Sequence, residues 1–152
     1  MRRGSVSALS IEYEDGVPAH CPPAQAEEKA ATLYRICGAS PPDAEDYTSH
    51  ARSTSLRKVK QAQAALKRDP QDCTPSGLSV YLTEKGIRHA CKLFPFAQGA
   101  FVYTTNVNAN EGALLPTRSA EHYTYWPRAS TKLDERAELA FGPVDRATVD
   151  VG

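Results

Sequence analysis

Much that would place this chain quickly is missing from it. Nothing in its 152 residues approaches the ~18 consecutive apolar residues of a membrane-spanning helix. Gly4 to Ser10, which follows Arg2 and Arg3, is too polar for the apolar centre of a secretory signal. Neither sign of charge dominates: Lys+Arg and Asp+Glu number 18 each, so no global field draws the chain to nucleic acid or anionic lipid. The four cysteines, Cys21, Cys37, Cys73 and Cys91, include no C-x-x-C pair. His20-Cys21 and His89 with Cys91 have zinc-ligand chemistry but not the usual short ligand spacing. G-x-G-x-x-G and G-x-x-x-x-G-K-[ST] are absent, as are G-x-S-x-G and H-E-x-x-H. No internal repeat is visible. The expectation is therefore a cytoplasmic domain with reduced cysteines and no metal, with no membrane partner and nucleic acid disfavoured. Cys37 and Cys91 read as small buried hydrophobes.

What is present is ordinary for a globular protein: 41% apolar and 24% charged residues, in a chain long enough to bury one core. Residues 1–152 read as one domain. Met1 to Pro23 is irregular, with a hint of strand at Ile11-Glu12-Tyr13. Ala24 to Ala31 has the composition of a short exposed helix. In Thr32 to Cys37, Leu33, Arg35 and Cys37 share one face of a strand, and Tyr34 and Ile36 the other. Arg35 is either an edge arginine reaching for water or a fork facing a cleft, where it can hold phosphate or carboxylate.

Asp43 to His50 suits a helical turn with its acids early. Leu56 to Arg68 should be a helix with Val59, Ala62 and Leu66 inward. Its basic outer face (Arg57, Lys58, Lys60, Lys67, Arg68) reads as solvated. The chain is organised around Gly77 to Thr83, a short β-favouring run after a turn. Thr83 is placed to cap a helix in which Ile87, Ala90, Cys91 and Phe94 form one apolar stripe, and Pro95 ends it. Ala100 to Val107 is the best strand, and residues 108–119 form a long polar loop, mobile or functional. Glu121 to Trp126 is a further strand, residues 129–137 hold a short helix, and residues 138–141 add a last strand. Residues 145–152 form a frayed tail. Together these predict an α+β fold, with a mixed, mostly antiparallel sheet of four to six strands and two to four helices.

Glu121-His122-Tyr123-Thr124-Tyr125-Trp126 is chemically dense. Alternation puts Glu121, Tyr123 and Tyr125 on one face and His122, Thr124 and Trp126 on the other. Such rings can stack on a base or nicotinamide, and a glutamate can bond a ribose hydroxyl or steady a cationic transition state. The bland alternative is an aromatic strand packed on a helix. Leu33 to Ile36, Gly77 to Thr83 and Glu121 in this order resemble the three motifs of the ADP-ribosyltransferase-like superfamily, which includes RES-type toxins and RNA 2′-phosphotransferases. The resemblance spans about residues 33–126 and implies an ADP-ribosyltransferase-like fold with NAD as substrate. It also implies Arg35 on the phosphates, Ser79 and Tyr81 along the nicotinamide side, and Glu121 helping to ionise the glycosidic bond. His122 would be a less orthodox substitute for Glu121, and Tyr123 would lie beside the bound cofactor. The doubled glutamate of many protein-modifying members is lacking here.

Two functions follow. The first is an NAD-consuming transferase or glycohydrolase with catalytic residues Glu121, Arg35 and Tyr81. By analogy such a chain would be a toxin or defence effector, met by an antitoxin. The second is a non-catalytic domain that binds a nucleotide or a protein partner, with the aromatic strand beside Arg118 and Arg128 as anchors. Geometry separates them: the enzyme needs Arg35, Tyr81 and Glu121 on one cleft.

Overall fold

In the computed structural model, which describes residues 13, 17–118 and 121–150, the sheet grows outward from β1 (Ala31–Cys37). The β-branched and aromatic alternation of β1 matches that of β3 (Phe101–Val107), and the two pair over seven residues, from Ala31 with Val107 to Cys37 with Phe101. On its other side β1 touches β2 (Leu78–Tyr81) at only one register position, Tyr34 with Tyr81. Completing the sheet are β4 (Gly112–Pro116), β5 (His122–Pro127) and β6 (Glu138–Phe141). The order is β4-β5-β2-β1-β3-β6, and every pair is antiparallel. With helices α1 (Leu56–Arg68), α2 (Glu84–Leu93) and α3 (Leu133–Arg136), this is the α+β fold class expected.

Strand alternation decides what each sheet face buries. Tyr34, Ile36, Tyr81 and Val102 face α2, whose Ile87, Ala90 and Cys91 pack on them. Leu33, Cys37, Leu78 and Val80 face the opposite way, in a core with Tyr47 and Leu133. Helix α2 begins where the sequence places it, because the Thr83 side chain accepts from the Gly86 N–H at 3.0 Å. It ends at Leu93, since Pro95 pushes Phe94 into extended backbone. A third cluster joins Tyr13, Cys21, Cys73 and Trp126. Among the described residues no helix is long and apolar enough to cross a membrane.

Four expectations need correction. Residues 24–30 form no helix. Glu27 and Leu114 exchange two backbone hydrogen bonds of 2.8 Å, and this pairing overrides a helix propensity worth only tenths of a kcal/mol per residue. The polar loop of residues 108–119 contains β4, which pairs with β5 from Gly112 with Pro127 to Pro116 with Tyr123. Up to Asp150 the tail is docked rather than frayed: Val144 and Val149 are buried against α2, and the Arg88 guanidinium donates to the Val149 carbonyl at 2.9 Å. The cysteines are not all reduced. Cys21 and Cys73 form a disulfide across 52 residues, while Cys37 and Cys91 are free and buried. Disulfides persist in oxidising compartments, so the cysteines lend no support to a cytoplasmic location. The strand hinted at Ile11-Glu12-Tyr13 lies outside the described residues except for Tyr13, which bridges Arg128.

Candidate functional site

Pairing of β2 with β5 sets Tyr81 beside His122, and their rings meet edge to face, with centroids 5.4 Å apart. Helix α2 starts three residues after Tyr81 and overhangs both. The space beneath it is a cavity of about 120 Å³ whose walls include Tyr81, His89, Phe94, Arg118, Glu121 and His122. That is the scale of one aromatic ring, since an apolar cavity of about 150 Å³ holds benzene. Glu121 precedes β5 in a turn, so strand alternation does not bind it. It therefore shares a cavity with its neighbour His122 rather than a face with Tyr123 and Tyr125.

His122 is 6% exposed. Its Nδ1 lies 2.7 Å from the Thr117 hydroxyl and 3.1 Å from the Thr117 carbonyl. A carbonyl only accepts, so an N–H at Nδ1 serves both contacts and Nε2 is the ring's acceptor. Burial, with the Arg118 charge second, pulls the imidazole pKa below its usual value, while the bond to Thr117 opposes this. Burial likewise raises the Tyr81 phenol, and Arg118 works against it. Arg118 itself sits in left-handed backbone at φ 61°, uncommon for a non-glycine residue. Its charge is felt by Tyr81, His122 and His50. The site is a ring-sized slot with two imidazoles, the buried one of His122 neutral, a phenol, one cation and one exposed carboxylate.

A neutral buried histidine predicts a pH dependence. The unfolded chain has an ordinary imidazole of pKa ~6.5, and the folded value is lower. Below ~6.5 the unfolded state binds more protons, so stability is complete above that pH and is lost as pH falls through the folded pKa. The melting temperature should drop as pH is lowered from about 6.5 toward the folded pKa, and drop less in His122→Asn. His50, also lowered, first by burial and then by Lys58 and Arg35, supplies the remainder. Identical pH profiles in the two proteins would reject a buried neutral His122.

Of the residues chosen from sequence, Tyr81, Glu121 and His122 meet. The others do not. Arg35 is on the opposite face of the sheet, its Nε donating to the Asp46 carbonyl at 2.6 Å and its terminal nitrogen to the Ser79 carbonyl at 2.7 Å. The guanidinium lies 5.7 Å from the centre of the Tyr47 ring. Burial lowers its pKa, with Cys37, Tyr47 and Asp46 acting the other way. Where β1 and β2 diverge beyond Tyr34 and Tyr81, Arg35 replaces the missing ladder donor. Ser79 is exposed and not part of the cavity wall. Tyr123 packs against the far core, its ring 5.8 Å from the Lys29 ammonium. Tyr125 and Trp126 are both 0% exposed, so neither of these two rings is available as an anchor for a partner.

Leu93 was missed, and His89, weighed only as a zinc ligand beside Cys91, was not assigned to this cavity. The signal was there in Gly86, His89 and Leu93 at i, i+3 and i+7, a second stripe beside the apolar one. Arg118 carries no local pattern that would mark it. Among the described residues, the one group of three metal-ligating side chains whose donor atoms lie within 4.8 Å of one another is His20, Cys21 and Cys73, so His89, His122 and Glu121 of the cavity are not gathered in that way. No family model, curated protein or solved structure matches this chain.

Proposed function

We propose that this domain binds the ring-bearing end of a nucleotide of the NAD class without turning it over. The observation that carries this is the convergence of Tyr81 and the neighbouring Glu121 and His122, two separate stretches of the chain, on one ring-sized cavity. Small-ligand sites characteristically combine apolar walls with a few convergent polar groups. Tyr81 and Phe94 supply the wall for a planar ring, Glu121 an acceptor for a ribose hydroxyl, and Arg118 a fork for phosphate. Arg118 forms no ion pair with a carboxylate among the described residues, which leaves its charge for a ligand. The resemblance to ADP-ribosyltransferases gives the ligand class. Arg35 argues against turnover, because its fork is committed to two backbone carbonyls on the far face.

Millimolar NAD should raise the melting temperature by mass action, with no release of nicotinamide. Arg118→Glu should remove that shift and leave the melting temperature of the free protein unchanged. No shift in the wild type would overturn the binding assignment. Nicotinamide release that disappears in Glu121→Gln would replace it with an NAD-consuming transferase or glycohydrolase.

A further inference from the structure

The third cluster lies away from the cavity and has a chemistry of its own. His20 and Cys21 are adjacent, and the fold brings Cys73 to them from 52 residues away. One donor atom from each of the three lies within 4.8 Å of the others. His20 is exposed, whereas both cysteines are buried. The backbone around each cysteine is held by bonds that do not involve sulfur. The Cys21 N–H donates to the Pro18 carbonyl at 2.9 Å. The Cys73 carbonyl accepts from the Trp126 indole at 3.1 Å and from the Ser76 hydroxyl at 2.9 Å.

We propose that Cys21, Cys73 and His20 form a redox-gated site for a zinc-type divalent ion, closed by the disulfide and opened by its reduction. Opening breaks one S–S bond. Two molecules of a thiol reductant supply two electrons and two protons and leave as their own disulfide. The metal then displaces one proton from each cysteine and takes the His20 imidazole as its third ligand. Solvent fills the fourth position of the tetrahedron. Tetrahedral bonds of ~2.3 Å to sulfur set the two sulfurs ~3.8 Å apart, a separation that side-chain rotation supplies on the 5.5 Å Cα–Cα frame already present. Two thiolates and an imidazole are the ligand set that favours zinc over hard cations. Because the backbone is fixed independently of the sulfur bond, the reduced ligands stay near one another and the site is preorganised.

Cobalt(II) is the probe, since its thiolate and tetrahedral absorption bands report the ligands directly. The protein is reduced anaerobically, freed of reductant and titrated with the ion. The reduced protein should bind one equivalent with strong visible absorption, and zinc should displace it. The oxidised protein should show no bands. His20→Ala removes only an exposed ring, so it should fold normally and lose at least tenfold in affinity. Cys73→Ser should abolish binding. The chain has one tryptophan, and its bond to Cys73 makes its fluorescence a separate report on whether the reduced cluster stays packed. A reduced protein that remains folded and binds no stoichiometric cobalt would overturn the proposal. So would bands that are unchanged in His20→Ala or equally strong in the oxidised protein.

Discussion

Trp126→Ala is expected to lower the unfolding free energy by about 3–5 kcal/mol, the cost typical of deleting a large buried ring. Trp126 is fully buried, and its ring is where three separate stretches of chain meet: Tyr13, the Cys21 turn and the Cys73 connector. Its indole N–H also donates to the Cys73 carbonyl. Trp126→Phe should recover most of the packing. Its deficit should be about 1 kcal/mol, the usual net worth of one hydrogen bond, because the Ser76 hydroxyl still serves that carbonyl. Denaturant unfolding followed by far-ultraviolet circular dichroism measures both, since the alanine variant has no tryptophan to report. A loss below about 1.5 kcal/mol in Trp126→Ala would mean that the third cluster is peripheral to the fold.

Arg35→Ala should also be destabilising, by about 1–3 kcal/mol, because the part-buried Asp46 carbonyl loses its donor, while the exposed Ser79 carbonyl can turn to water. Here the direction of the effect separates two roles. If Arg35 held a nucleotide phosphate, its loss would weaken NAD binding and leave the free protein as stable as before. With its fork on Asp46 and Ser79, the free protein should suffer and the NAD-induced rise in melting temperature should persist. Arg35→Lys should rescue little, since a single ammonium cannot reproduce the two fixed donors of a guanidinium. Full stability with the NAD shift abolished would restore Arg35 to the binding site.

The residues that proved hardest to read show where local pattern stops. Arg35 was correctly assigned to the face of Leu33 and Cys37, but alternation says only which residues share a face. Both faces of this sheet are buried, one under α2 and one beneath Tyr47 and Leu133. Nothing within β1 tells which of them carries the cavity. Glu121 was assigned to the wrong side because the strand rule was extended one residue beyond the first paired one.

β4 escaped notice for a different reason. Gly112 and Pro116 make its sequence resemble a loop, and an edge strand is specified by its partner, here β5. The disulfide joins residues too far apart for any spacing rule. In residues 24–30 a weak local preference lost to a nonlocal bridge.

Local sequence specifies the elements whose stability is local or periodic. These are the Thr83 cap and apolar stripe of α2, the alternation of β1 and β3, the helix over residues 56–68, and hence the α+β class. Tertiary structure alone decided the strand order, the depth of Trp126 and the pairing of Cys21 with Cys73. It also decided which polar residues share a cavity. Caps and periodicities are set by interactions a few residues apart, and these are written in the chain. A site is set by contacts between segments tens of residues apart, and their relative placement is fixed only when the whole core is packed.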